Sequence, residues 1–229
     1  MKTNKNISTI IGVLFITVMI TWYIGDTLIS AALETPDFLK QVYKNKMRVT
    51  LGVLFEIIEV VAVAGIAVLL FPIIKKYNEK IAIGYLVLRV FECVMLIVGA
   101  FCPLLLITLS YEYSQATEPA TSLLQTTGTL LMAARTNWSL LMLAIFYSLA
   151  AIMFYYVLYR TKLIPRFISV WGLIGAVMAI TTPWLGTVFG IPMGLNELFL
   201  GAWLIIKGFK IPEINPRNIL DKAQDLQNR

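Results

Sequence analysis

Residues 49–73 read VTLGVLFEIIEVVAVAGIAVLLFPI, and within them only Glu56 and Glu59 carry charge. A helix needs about 20 mostly apolar residues to cross a bilayer, so this stretch is long enough to span one. It stops at Pro72 and a polar turn, Lys75-Lys76-Tyr77-Asn78-Glu79-Lys80. The next apolar stretch begins at once, at Ile81, and so short a turn predicts an antiparallel helical hairpin.

Working outward from that hairpin, the same pattern predicts further spans at about 7–29, 81–110, 138–159, 168–190 and 193–209. Pro103 lies in the outer third of the span at 81–110, where it should kink the helix. Pro183 should break the span at 168–190. Leu33 to Arg48 is polar and mixed in charge, and reads as a short surface helix. The longest connection is 111–137, where Leu123, Leu124, Leu130 and Leu131 recur with helical periodicity. It predicts an amphipathic helix in the outer loop, capping the bundle in preference to lying on lipid, because it lacks lysines. Residues 210–229 form a charged tail. The fold class is therefore all-α: one polytopic membrane domain over 1–229, with six spans.

Composition agrees. The 229-residue chain is 59% hydrophobic and 14% charged, against about 45–50% and about 25% in soluble domains. Met1 to Asn6 resembles the start of a signal peptide, but the apolar stretch that follows is too long and no small-x-small cleavage site follows it cleanly. A retained first helix is expected. The net charge of +6 sits in loops, which suits an anionic inner leaflet. Nothing resembles a basic recognition helix, so nucleic-acid binding is rejected.

Basic residues set the threading. Of the 19 in the chain, Lys40, Lys44, Lys46, Arg48 and Arg135 fall in outer segments, Arg89 lies within a span, and the other thirteen fall in inner segments. Both termini are expected in the cytoplasm. Tryptophans and tyrosines at the span ends, such as Trp22, Trp138, Tyr159 and Trp171, fit an interfacial belt. Cys93 and Cys102 lie nine positions apart on one helix, roughly 13 Å, too far to bond each other. With no histidine in the chain, the commonest metal ligand is missing. No metal and no cofactor are expected.

The chemistry must come from charges inside or at the rim of the spans: Asp26, Glu56, Glu59, Arg89, Glu92 and Glu197. A charge in hydrocarbon costs roughly 3 kcal/mol or more, so these groups must face protein, water or one another. Glu56 and Glu59 share one helix face, as do Arg89 and Glu92. Glu59 and Arg89 are offset by roughly 10 Å on ideal helices, a gap their side chains or a water can bridge. Glu197, beside Asn196, falls near mid-depth, and Asp26 falls at the outer mouth. Three readings compete. The charges only fix helix packing, with Arg89 paired to a glutamate and the other acids neutral or hydrogen-bonded. Alternatively they line a site that binds or carries a small cationic ligand or a proton. The third reading is an intramembrane enzyme using paired carboxylates as acid and base.

Two stretches near the end are distinctive: Leu158-Tyr159-Arg160-Thr161-Lys162-Leu163-Ile164-Pro165-Arg166-Phe167-Ile168-Ser169-Val170-Trp171-Gly172, and Asn196-Glu197 running to Trp203-Leu204 and Lys207-Gly208-Phe209. Together with Arg48 and Arg89 they resemble the bacterial membrane-protein family DUF4386, a domain of unknown function. The resemblance runs from about Ile7 to Phe209. It implies a six-helix protein of a bacterial cytoplasmic membrane, and it implies no activity. It selects Arg89 and Glu197 among the candidate residues.

Overall fold

The computed structural model describes residues 2–118 and 120–210, and these are helical with short connections. The expected tail beyond Lys210 lies outside the described residues. α1 (Lys2–Leu33), α3 (Lys46–Lys75), α4 (Glu79–Gln115) and α9 (Ile191–Ile206) are long rods. α5 (Ala120–Ala133) continues through a π-helical turn (Ala134–Ser139) into α6 (Leu140–Thr161). Shorter pieces are α2 (Phe38–Gln41), α7 (Arg166–Ala179), α8 (Thr182–Leu185) and a 3₁₀ turn at Thr187–Gly190.

Five helical stretches are long and apolar enough to cross a membrane: Lys5–Leu33, Lys46–Lys75, Glu79–Gln115, Ala120–Thr161 and Thr187–Ile206. Arg166–Ala179 is apolar but has only 14 residues, or about 21 Å. The span expected at 168–190 is therefore divided. The chain turns at Ile180 and Thr181, restarts with Pro183 in the first turn of α8, and reverses at Gly186. Gly186 has φ +98°, which a side chain would oppose.

The amphipathic helix expected in the loop takes a different form. Residues 120–133 are helical but join α6 without a break, so α4 and α5–α6 make one long antiparallel hairpin. Gly128 faces Phe38 and Leu39, and Leu131 and Met132 pack against a second, smaller core that includes Ile29, Leu33, Leu39, Val42, Val53 and Leu106. Leu123 and Leu130 stay exposed. The segment covers one end of the bundle with one side and leaves a mixed face of Ser122, Leu123, Gln125, Thr126, Thr129 and Leu130 exposed.

Local signals explain the ends. The Asn78 side chain accepts the Ile81 N–H at 3.0 Å and caps α4. Lys162 closes α6 in the left-handed region, and Pro165 sits at the N-cap of α7. Gly208 (φ +70°) ends α9 with its N–H on Leu204.

Neighbouring helices follow one another round a ring: α1 on α3, α3 on α4, α4 on α6, α6 on α7, α7 on α9, and α9 back on α1. The main core between them holds Phe15, Ile66, Leu70, Tyr85, Phe154, Tyr155, Leu200 and Leu204. α1 meets α9 backbone to backbone, since a Cβ on Gly12 would lie 2.5 Å from the Gly201 carbonyl. The outward faces are apolar as well, with Ile57, Val61, Val68, Val90 and Phe101 exposed.

Candidate functional site

The ring brings most of the sequence-predicted charges into its interior. Glu59 (5% exposed), Arg89 (3%), Glu92 (3%), Asn196 (0%) and Glu197 (5%) are buried, while Glu56 is half-buried. Asp26 is exposed on α1. Its neighbour Gly25 packs against Gly52 and Glu56, which keeps Asp26 near the rim of the cluster.

Two arginines divide the acids. On α4, Arg89 Nη1 donates to both oxygens of Glu92, at 2.8 and 3.0 Å, within one helical turn. Its Nε donates to the Tyr85 hydroxyl at 3.2 Å. The flat guanidinium also lies over the Tyr85 ring (5.4 Å) and the Tyr147 ring (5.8 Å). Such contacts suit a cation out of water. The expected bridge from Glu59 to Arg89 is not made; among the described residues, the ion-pair partner of Arg89 is Glu92. Glu197, brought by α9, interacts with the Tyr147 hydroxyl and feels the charge of Arg89 from beyond ion-pair distance.

The second arginine was read from sequence as an outer-loop charge. Arg135 sits in the π-helical turn and reaches α3 and α4 together. It pairs with Glu56 at 2.5 and 3.3 Å, and its Nη1 donates to the Gly99 carbonyl at 2.7 Å. That carbonyl is orphaned by sequence. Pro103 lies four residues on and has no N–H to give it. Gly99 also leaves room for Ser139, whose hydroxyl donates to the Met95 carbonyl at 2.8 Å. The signal that identifies Arg135 was therefore present in the chain: a mid-helix proline, the carbonyl it frees, and an arginine on the antiparallel partner helix. Reading 111–137 as a connection hid it. π-helical turns are often found at functional sites.

With Arg135 held by Glu56 and Arg89 held by Glu92, two buried acids of the set are left over, Glu59 and Glu197. Glu59, on α3, is close enough to Glu56 and Glu92 to feel both charges, and Arg135 offsets them in part. One of its oxygens, Oε2, is buried without a hydrogen-bond partner. Asn196 donates its amide to the Ile168 carbonyl at 3.0 Å, and its own Oδ1 is unpartnered.

Cys93 and Cys102 are free thiols, as their separation on α4 requires. A surface depression lined by Pro36, Asp37, Tyr113 and Gln125 lies beside α2 and includes none of the candidate site residues.

No curated protein and no solved structure matches the chain. A family model described as a domain of unknown function (DUF4386) matches residues 10–208, nearly all of the helical ring. The chain belongs to the DUF4386 family.

Proposed function

We propose that this chain is a multi-pass membrane protein that binds a proton, or a small cation in its place, at buried carboxylates within the bundle, Glu59 foremost. The observation that carries the reading is the unpartnered, buried Glu59 oxygen. An ionised carboxylate there would be repelled by Glu56 and Glu92, and both arginines are already paired, so Arg135 offsets that repulsion only from a distance. An uncompensated buried charge costs several kcal/mol. A bound proton or cation removes that cost, and an exchangeable one gives the protein something to sense or carry.

The threading that goes with this reading has six crossings, with α7 and α8 together making the short fifth one. Both termini lie on the cytoplasmic side of a bacterial cytoplasmic membrane. The exposed apolar side chains would then face lipid.

A second reading has its own support. The Arg89–Glu92 and Arg135–Glu56 pairs are each closed and well hydrogen-bonded, which is what a packing network needs. The enzymatic reading needs a water-accessible acid pair, whereas Glu59, Glu92 and Glu197 are each at most 5% exposed.

Thermal unfolding of the purified protein in nanodiscs separates the two supported readings. Sodium, potassium and tetramethylammonium chlorides are compared at constant ionic strength, for the wild type and Glu59→Gln. The site reading expects one cation to raise the melting temperature of the wild type and to leave Glu59→Gln unmoved, with the variant folded. If no cation acts and Glu59→Gln simply melts earlier, the network reading holds and the site reading falls.

A further inference from the structure

Away from Glu59, the junction of α6, α7 and α9 gathers polar oxygens that neither ion pair uses. Tyr155 on α6, Ser169 on α7 and Asn196 on α9 are each at most 1% exposed, and each has a side-chain oxygen with no hydrogen-bond partner.

All three meet at one turn of α7, residues 168–172. The Asn196 amide is fixed to the carbonyl of Ile168, the residue before Ser169. The Tyr155 ring packs directly on Gly172, leaving no space for a Cβ there. Gly172 is three residues beyond Ser169, so both lie on the same face of α7. Asn196 is next in sequence to Glu197, and Tyr155 is close enough to Glu197 to feel its charge.

Burying three hydrogen-bonding groups unsatisfied costs each of them the water it gave up on folding. Buried polar groups in such positions are met by ordered water, which typically makes about three hydrogen bonds. The chemistry of the set matches that requirement. The Tyr155 and Ser169 hydroxyls can donate to a water oxygen, and Asn196 Oδ1 can accept one of its hydrogens. A wholly apolar lining would exclude water, and this lining is not one.

We propose that Tyr155, Ser169 and Asn196 form an internal water-binding site at the α6–α7–α9 junction, placed beside Glu197. The ligand class is water, one molecule or a short chain. The site gives Glu197 a hydrogen-bonding neighbour through which a proton can reach it. It does not depend on what occupies Glu59.

The test is X-ray-generated hydroxyl-radical labelling of the full-length protein in nanodiscs, read by mass spectrometry. Radicals formed from a bound water modify the side chains that touch it, however deeply they are buried. Tyr85 is the internal control: it is equally buried, and its hydroxyl is already engaged by Arg89. The water site predicts that Tyr155 is modified several-fold faster than Tyr85 in the wild type. It also predicts that Ser169→Ala and Asn196→Leu each bring Tyr155 down toward the Tyr85 rate. Equal, slow labelling of Tyr155 and Tyr85 in the unaltered protein overturns the proposal without recourse to any variant. Fast Tyr155 labelling that survives both substitutions overturns the assignment of these residues. Neither outcome bears on Glu59.

Discussion

Replacing Arg89 by methionine removes the positive half of an ion pair whose side chains are 3% and 4% exposed. At 2.8 Å and an effective dielectric of about 20, the direct attraction is about 6 kcal/mol. Most of that offsets the loss of water from both groups, so the measurable quantity is the cost of stranding Glu92. Breaking a buried pair on one side costs about 3–5 kcal/mol. For a chain of this size each kcal/mol moves the melting temperature by about 2–4 °C, so Arg89→Met should lower it by roughly 10 °C. The double variant Arg89→Met/Glu92→Leu strands no charge and should recover most of the loss, since apolar replacement of a buried pair is often neutral. The assay is thermal unfolding in one nanodisc preparation. A shift under about 2 °C for Arg89→Met, or a double variant as unstable as the single, would show that the pair is not the closed unit described.

Arg135→Gln should cost about 2 kcal/mol, less than Arg89→Met, because that pair is partly solvated. Adding Pro103→Ala should return about 1 kcal/mol, since an N–H is restored to the Gly99 carbonyl that Arg135 serves; a thermal double-mutant cycle measures the coupling. Gly12→Ala should destabilise by about 1–3 kcal/mol through overpacking against the Gly201 backbone, whereas Gly190→Ala, which meets only a Thr182 methyl at 3.3 Å, should be far milder in the same assay. Cysteines at Asn78 and Gln115, placed in a cysteine-free background, should react with impermeant reagents from opposite sides of the membrane. Labelling from one side only would remove the proposed threading.

How much of this was legible in the chain depended on range. The hairpin of α3 and α4 followed from continuous apolar runs and the Lys75–Lys80 turn, because spanning length and turn chemistry are local. So did the left-handed end at Gly208. The split at Ile180–Gly186 was half legible: Pro183 announced a break, but apolar residues on both sides disguised how short α7 would be. The continuous α5–α6 helix was missed because Thr126, Thr127, Arg135 and Asn137 interrupt the hydropathy. Those polar groups are accommodated by i−4 carbonyls, as for Thr126 and Thr127 on Ser122 and Leu123, and by α4. Burial of Glu59, Glu92 and Glu197 could be inferred from the price of charge in hydrocarbon. Partner choice could not. Arg135 is 79 residues from Glu56, and only the tertiary fold brings them together.

Glu59 is the residue on which the site reading stands, and isotope-edited infrared spectroscopy reports on it most directly. Spectra of the wild type and Glu59→Gln are recorded in nanodiscs at neutral pH. The carbonyl stretch of a protonated carboxylic acid should be present in the wild type, weaker by the Glu59 component in Glu59→Gln with only a Glu197 contribution left, and diminished in the wild type by any cation that stabilises it. Identical spectra for the two proteins, with or without cations, would mean that Glu59 holds no exchangeable proton or ion.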